Sequence, residues 1–444
     1  MRENPFKAYD IRGIYNKDFN GETAYKIGFF LKDLFGADVI AVCRDIRNSS
    51  DEIADFLIKG ILDSGCDVHN YGYTTTPMSY FISFKKGYKT TVMITASHNP
   101  KEYNGFKISG PSASPVGKEA GLSYLEDAVT NKECIVKEKM GEVTEKDIKE
   151  EYVSFLKSNL SDISNLNVSI DCSNGSAGLI AKDVFKDANI ILDTPDGNFP
   201  SHSPNPLEEN SRKLIINEVK KNKSDIGLLF DGDADRVAFI DNKGRFISPD
   251  LIINILAYCL LNGNDEKVVI DIRSSKSCVE YIKLLGGTPL IWKVGHVFAK
   301  AKIKEENAIF GGELAGHYYF KDFGNCDSAF YAAILVLNTL KEWKEDNIYL
   351  SDFIDEFANY KSSGELNFKV DNKEKIIETI KEKYKNENYY KYYDFDGIRY
   401  DFDDWWFNVR MSNTEPYLRL VLEARNEEIL NDKIKEIKNL IKIA

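Results

Sequence analysis

Three stretches of the chain repeat one order of features, and this repetition restricts the fold more than any other property of the sequence. Each has a short apolar run, a polar loop, an amphipathic helical pattern and a second apolar run. The first copy opens on Asp38-Val39-Ile40-Ala41-Val42-Cys43-Arg44-Asp45, with Ser49 and Ser50 in its loop. Ile53, Leu57, Ile61 and Leu62 then fall on one face of a helix over residues 51–63. Ser64-Gly65 ends that helix, and a strand follows near Asp67. The second copy runs from Asn167-Val168-Ser169-Ile170-Asp171 through Ser173-Asn174-Gly175-Ser176 and a helix reaching Phe185, to Asn189-Ile190-Ile191-Leu192. The third runs from Lys267-Val268-Val269-Ile270-Asp271 through Arg273-Ser274-Ser275 and a helix reaching Leu285, to Pro289-Leu290-Ile291-Trp292. Strand, loop, helix and strand make the βαβ unit, whose crossover is right-handed in nearly all cases. Three such units predict three related α/β domains with mostly parallel, mixed sheets.

The joins divide the 444 residues into segments 1–150, 151–245, 246–360 and 361–444, within the three or four domains that this length suggests. Residues 133–152 are dense in Lys and Glu and end in a helix that carries the chain into the second unit. Asn242-Lys243-Gly244-Arg245 reads as a turn closing that unit. Past residue 364 come a charged helix over 372–386, an aromatic, aspartate-rich stretch over 389–406, strand-like pieces at 405–409 and 418–424, and an amphipathic helix over 427–443. That combination predicts a small α+β domain. Its acidic surroundings make Trp405 and Trp406 core and strand residues, not a stacking platform for bases.

A net charge of −12 argues against nucleic acid or a membrane surface as partner. The seven cysteines have no CxxC and no zinc spacing, and read as free thiols in a reducing compartment. Met1 leads into Arg2, Glu3 and Asn4 without an apolar leader, and no apolar run reaches the ~18 residues of a spanning helix. A cytoplasmic protein is expected.

Five loops carry candidate chemistry. Thr95-Ala96-Ser97-His98-Asn99-Pro100 follows the strand-like Thr91-Val92-Met93-Ile94. Pro100 excludes it from a sheet interior, so Ser97 belongs on a loop just past a strand end, with His98 beside it. By itself the hexapeptide is an ordinary turn. Asp231-Gly232-Asp233-Ala234-Asp235-Arg236 is the strongest local signal, lying between the apolar runs 226–230 and 237–240. Three carboxylates in five residues repel one another unless a cation holds them. Hard oxygen donors at this density suit Mg²⁺ best, with Ca²⁺ or Mn²⁺ as alternatives. An EF-hand is excluded by Arg236 and Asn242 at its sixth and twelfth positions. Mg²⁺ sites with few carboxylates complete their shell with phosphate oxygens. A phosphorylated Ser97 would supply one, with Arg236 and His98 as charge partners. Gly311-Gly312-Glu313-Leu314-Ala315-Gly316-His317 offers Glu313 and His317 to sugar hydroxyls, or is a helix-capping turn. Lys293 and His296 open a further loop as candidate ligand contacts. Arg410-Met411-Ser412-Asn413-Thr414-Glu415-Pro416 and Arg419 combine guanidinium groups with neutral donors, a composition that suits phosphate. Neither a P-loop nor GxGxxG is present.

Together with Ala8-Tyr9-Asp10-Ile11-Arg12-Gly13 and Asn104-Gly105-Phe106-Lys107, these motifs resemble the α-D-phosphohexomutase superfamily, in its phosphomannomutase/phosphoglucomutase branch. They stand in family order and span nearly the whole chain. The resemblance implies four domains around a central cleft, each giving one loop. It implies that Ser97 is the phosphoserine and that Asp231, Asp233 and Asp235 hold Mg²⁺ with a phosphate oxygen on Ser97. Glu313 would contact sugar hydroxyls. Arg410, Ser412, Asn413, Thr414 and Arg419 would hold the non-reacting phosphate. Tyr9, Arg12, Lys107, Arg236, His296 and His317 would line the cleft, and Arg273 would contact substrate where a Lys is common in the family. Ala315 replaces a Ser usual in this branch, which bears on sugar preference.

The implied reaction interconverts hexose 1- and 6-phosphates of mannose or glucose through a 1,6-bisphosphate, which also serves as activator. His98 and Lys107 are the candidates for proton transfer. A monomer or weak oligomer is expected. Phosphoglucosamine mutase is the alternative within the family. Outside it stand a phosphatase with Asp231 as nucleophile and a sugar-phosphate sensor without turnover.

Overall fold

The structure is a computed structural model and describes residues 3–261, 263, 265–411 and 417–443. The chain forms four sheets in sequence order. Across the first, the strands run Ile11–Ile14, Tyr103–Ser109, Thr91–Ile94, Val39–Arg44, Asp67–Tyr73 and Val143–Glu145. The second runs Phe246–Ile247, Val237–Asp241, Ile226–Phe230, Val168–Asp171 and Asn189–Ile191. The third runs Thr288–Trp292, Lys267–Asp271, Phe310–Gly312, Tyr318–Phe320 and Cys326–Asp327. In each, the strand that opens the βαβ unit pairs in parallel on both sides, and antiparallel strands complete one edge. The fourth sheet is wholly antiparallel: Lys361–Lys369, Tyr417–Ala424, Trp405–Met411, Ile398–Asp401 and Lys391–Tyr393.

The helices of the first unit follow their apolar periodicity. Gly21–Phe35 and Ser50–Asp63 pack backbone to backbone. A Cβ on Gly28 would stand 2.1 Å from the Leu57 carbonyl oxygen, and one on Gly60 2.0 Å from that of Tyr25. The second unit departs from expectation. The helix expected to reach Phe185 is broken into a 3₁₀ turn, Ser176–Leu179, and a single turn, Ala181–Val184. Between the two pieces Gly178 lies close to the chain at Asp193, where a Cβ would come within 2.2 Å of the carbonyl oxygen. The expected turn at 242–245 is present and leads into the edge strand Phe246–Ile247. The final helix spans Glu427–Ile443.

Apolar packing divides the molecule unevenly. One continuous core joins residues of the first three units, from Ala41 and Met93 through Ile170 and Phe230 to Ile270 and Phe330. The fourth sheet has a core of its own, built from residues such as Ile380, Phe407, Leu420 and Ile437. Its junction with the third unit is polar. The buried Arg399 guanidinium lies 3.7 Å from the Trp406 ring centroid and donates to the Ile272 and Ser274 carbonyls, each at 2.8 Å. Ser275 Oγ and Trp406 Nε1 both donate to Glu423 Oε2 at 2.8 Å.

Burial and the nearby Asp250 push the Glu423 carboxyl up to about 7. Its folded value lies above its unfolded one, so the folded state binds the extra proton between pH ~4.5 and ~7. That contribution is complete below ~4.5 and lost as pH rises through ~7. Glu423→Gln should therefore stabilise the protein at pH 8 by on the order of 2–3 kcal/mol and change it little at pH 4.5. Urea unfolding at the two pH values measures this. An equal effect at both would assign it to packing.

Candidate active site

The candidate loops leave the sheets at the carboxyl ends of strands, where ligand crevices form in α/β folds. The serine loop follows Thr91–Ile94. Ser97 has φ 51°, a left-handed conformation costing about 1 kcal/mol for a non-glycine residue. Its N–H donates to Thr95 Oγ1 at 2.8 Å. Arg47, fully buried, donates to the carbonyls of Ser97, Asn99 and Pro100 at 2.7 Å each and to that of Tyr103 at 3.1 Å. The loop is thus wrapped around one guanidinium, and Ser97 is held at its crest.

The acidic loop joins the antiparallel strands Ile226–Phe230 and Val237–Asp241. It meets the serine loop in the cleft: Ser97 Oγ donates to Asp231 Oδ2 at 3.0 Å. A Cβ on Gly232 would lie 2.6 Å from the Ser97 carbonyl oxygen, so only glycine permits this approach. Carboxylate oxygens of Asp231, Asp233 and Asp235 lie within 4.8 Å of one another, all buried. Thr76 Oγ1, Thr95 Oγ1 and Lys107 Nζ converge on Asp233 Oδ2, and Lys107 also bonds Asp235.

Burial, then Asp235 and Asp233, push Asp231 well above the usual carboxylate range. Burial opposes ionisation of Asp235 too, yet Lys107 and then Arg236 hold it well below that range. Burial likewise works against Lys107, but Asp233 and Asp235 raise its pKa, so it stays cationic. His98 is depressed by burial and by Arg236 and Arg12. His98 Nδ1 lies 3.2 Å from Ser97 Oγ.

The acids fit a hard divalent ion. Asp233 Oδ1 and Asp235 Oδ1 are buried without a hydrogen-bond partner, and all three donors are carboxylate oxygens. Asp231, Asp233 and Asp235, with Ser97, are the residues that would hold it.

The cleft has a volume of about 670 Å³ and is lined by all four units. A larger cavity of about 970 Å³, mostly apolar, lies between residues 112–120 and the helix His296–Glu306, but it holds neither Ser97 nor the acids. Tyr9, Arg12, Ser97, His98, Lys107 and Arg236 line the catalytic cleft, as do Arg273, His296, Glu313, His317, Arg410 and Arg419. Lys293 is not part of that lining; its ammonium lies over the rings of Phe298 and Trp292, 5.3 and 5.9 Å from their centroids. Ser412, Asn413 and Thr414 lie outside the described residues.

The loop at 313–317 is a β-hairpin turn between Phe310–Gly312 and Tyr318–Phe320, not a helix cap. Glu313 is oriented by Gly295 N–H at 2.7 Å and Tyr319 Oη at 2.6 Å. His296 begins a helix and is held neutral, down to about 3, by burial and by Lys300 and Lys107. Arg273, Arg410 and Arg419 converge on Glu365, which the motifs did not single out.

Arg47 was missed as well, although its signal is visible. Asp-Ile-Arg occurs at 10–12, 45–47 and 271–273, and each arginine pairs with the aspartate two residues before it. Two of these arginines line the cleft and the third builds the serine loop.

Comparison with known proteins agrees with this geometry. Models of the phosphoglucomutase/phosphomannomutase α/β/α domains I, II and III match residues 3–133, 150–244 and 248–360, and that of the C-terminal domain matches 365–440. The chain belongs to this family. A phosphomannomutase of Methanocaldococcus jannaschii is 39% identical, over 98% of this chain and 97% of its own. A phosphomannomutase/phosphoglucomutase of Pseudomonas aeruginosa is 33% identical, over 97% and 94%. The crystal structure of a Burkholderia thailandensis phosphoglucomutase/phosphomannomutase family protein superposes with a TM-score of 0.89 at 28% identity, covering 99% of this chain and 97% of its own.

Mg²⁺ should raise the thermal midpoint, with about 2.7 kcal/mol of added stability at a hundredfold excess over Kd. Asp233→Asn should abolish that shift. Scanning calorimetry with and without the ion checks both.

Proposed function

We propose that Ser97 carries the phosphoryl group with which this enzyme interconverts hexose 1-phosphates and hexose 6-phosphates. The observation that supports this most directly is the 3.0 Å contact of Ser97 Oγ with Asp231, inside a three-carboxylate cluster and at the floor of the cleft. In the forward half-reaction the free hydroxyl of a hexose monophosphate attacks phospho-Ser97. The serine O–P bond breaks, the sugar O–P bond forms, and the product is the 1,6-bisphosphate. After the sugar turns, Ser97 Oγ takes the other phosphoryl group. A bound Mg²⁺ would neutralise charge on the group in transit.

The chain's own residues supply positioning and charge, which phosphoryl transfer chiefly requires. Arg236 faces the transferring group, and Arg12, tied to Asp10 and to Asn99 Oδ1, faces it from the first unit. Arg410 and Arg419 take the non-reacting phosphate. Glu313, pre-oriented by Gly295 and Tyr319, accepts from sugar hydroxyls. His98, whose Nδ1 lies 3.2 Å from Ser97 Oγ, is the group placed to exchange a proton there, because Lys107 is committed to two carboxylates. Asp231 is a poor candidate for a phosphatase-type nucleophile. Its Oδ1 accepts from the Asp235 and Arg236 N–H groups, and its Oδ2 from Ser97.

Mannose and glucose phosphates are the substrates we assign, supported by the names of the Methanocaldococcus and Pseudomonas relatives. Hexose 1,6-bisphosphate is the activator, since it would rephosphorylate Ser97. No helix among the described residues is long and apolar enough to cross a membrane. We place the enzyme in the cytoplasm as a monomer or weak oligomer.

Intact mass should show one phosphate on the wild-type protein. Ser97→Ala should lose it, with turnover falling on the order of a thousandfold or more. Normal turnover in that variant would refute the assignment. Turnover should also be faster on mannose and glucose phosphates than on glucosamine phosphate. The reverse order would identify a phosphoglucosamine mutase.

A further inference from the structure

A row of buried polar side chains runs from the cleft into the interior. Arg236 Nε donates to His317 Nε2 at 2.9 Å. Across the same ring, His317 Nδ1 lies 3.2 Å from Asp327 Oδ2. The other Asp327 oxygen is 2.7 Å from Lys300 Nζ. Lys300 Nζ in turn stands 3.4 Å from the centroid of the Tyr80 ring. His317, Asp327, Lys300 and Tyr80 are all more than nine-tenths buried. They come from different units: Tyr80 from the helix Thr76–Lys86 of the first, Arg236 from the second, and the other three from the third.

The hydrogen bonding allows one arrangement of protons. An arginine nitrogen only donates, so His317 Nε2 accepts and carries no proton. The ring proton then resides on Nδ1 and is donated to Asp327. A carboxylate behind a histidine fixes tautomer and ring plane in this way at many functional sites. Here the fixed lone pair points at a guanidinium instead of a metal or a nucleophile.

We propose that Asp327 and Lys300 are positioning residues for phosphoryl transfer: Asp327 fixes the tautomer of His317, Lys300 fixes Asp327, and the Nε2 acceptor so created holds Arg236 in the cleft. The catalytic consequence rests on the function proposed above; the tautomer does not. With the acceptor lost, Nε2–H and Arg236 Nε–H would face each other as two donors. Arg236 would then turn to Asp235 Oδ1, already 4.0 Å away, and leave the transferring group. The helix Thr76–Lys86 touches both the acidic loop and the inner end of the row. Thr76 bonds Asp233, and Tyr80, one turn later, covers Lys300. Asp235, His317 and Asp327 also have the composition of a second cation site. Lys107, Lys300 and Arg236 already face that group, so its charge is compensated by the protein itself.

The test is the nitrogen-15 spectrum of histidine-labelled full-length protein, with His317 assigned by its disappearance in His317→Gln. The wild-type ring should be protonated at Nδ1. Asp327→Ala should move the population toward Nε2–H and lower kcat roughly ten- to a hundredfold, with KM within about threefold. Lys300→Met should lower kcat in the same direction, and Lys300→Arg should recover most of it. A wild-type ring protonated at Nε2 overturns the proposal, and so does an Asp327→Ala protein that keeps both tautomer and kcat. The wild-type spectrum needs no variant to fold and no turnover, so it separates this proposal from the mutase reading.

Discussion

Mutual repulsion among Asp231, Asp233 and Asp235 is the constraint that the rest of the molecule answers. Their oxygens lie within 4.8 Å of one another in a buried loop. At an effective dielectric near 20, each pair of full charges at that distance costs roughly 3 kcal/mol. The second unit supplies no lysine against them. The compensation comes mainly from the first unit, through Lys107, Thr76 and Thr95, with Arg236 4.0 Å from Asp235, and the third unit closes over the group with His317, whose Nδ1 lies 3.9 Å from Asp235 Oδ1. The acids can therefore be buried only where three units meet. That meeting point is also where Ser97 emerges, so the charge problem and the location of the chemistry have one solution.

The repeated βαβ order in the sequence foretold three of the four sheets, because apolar periodicity and polar loops are local properties. Ser97 and the acidic loop were legible for a related reason: each follows a strand, and strand ends in this fold point into a common crevice. Residues whose role is to hold others were much less visible. Arg47 looks like a surface arginine until four carbonyls of a distant loop are seen to surround it. Glu365 lies in a strand with no motif, and it matters only because three arginines from two units converge there. The broken helix before Phe185 was misread because its apolar spacing is helical, although the chain there forms only a 3₁₀ turn and a single helical turn. Lys293 had a suggestive position beside His296, yet its ammonium lies over the rings of Phe298 and Trp292.

The cleft separates charge states finely over a short distance. His98 and His296 are both held neutral, while Lys107 nearby is held cationic. The difference is one of partners. The histidines are buried near arginines and lysines, which disfavours a further positive charge. Lys107 is buried too, but against two carboxylates. Proton exchange and charge compensation are thus assigned to different residues before any substrate arrives.

The uneven division of the apolar core has a consequence for movement. The first three units share one greasy interior, so sliding any of them against the others would expose hydrocarbon to water. The fourth meets the third chiefly through guanidinium, indole and carboxylate contacts, for which water is a ready substitute. The boundary of the fourth unit therefore rests on polar contacts, where the other three share one apolar core. Under the reaction proposed above, a bisphosphate turning end over end would find its freedom at the unit carrying Arg410 and Arg419, opposite the serine and the acids.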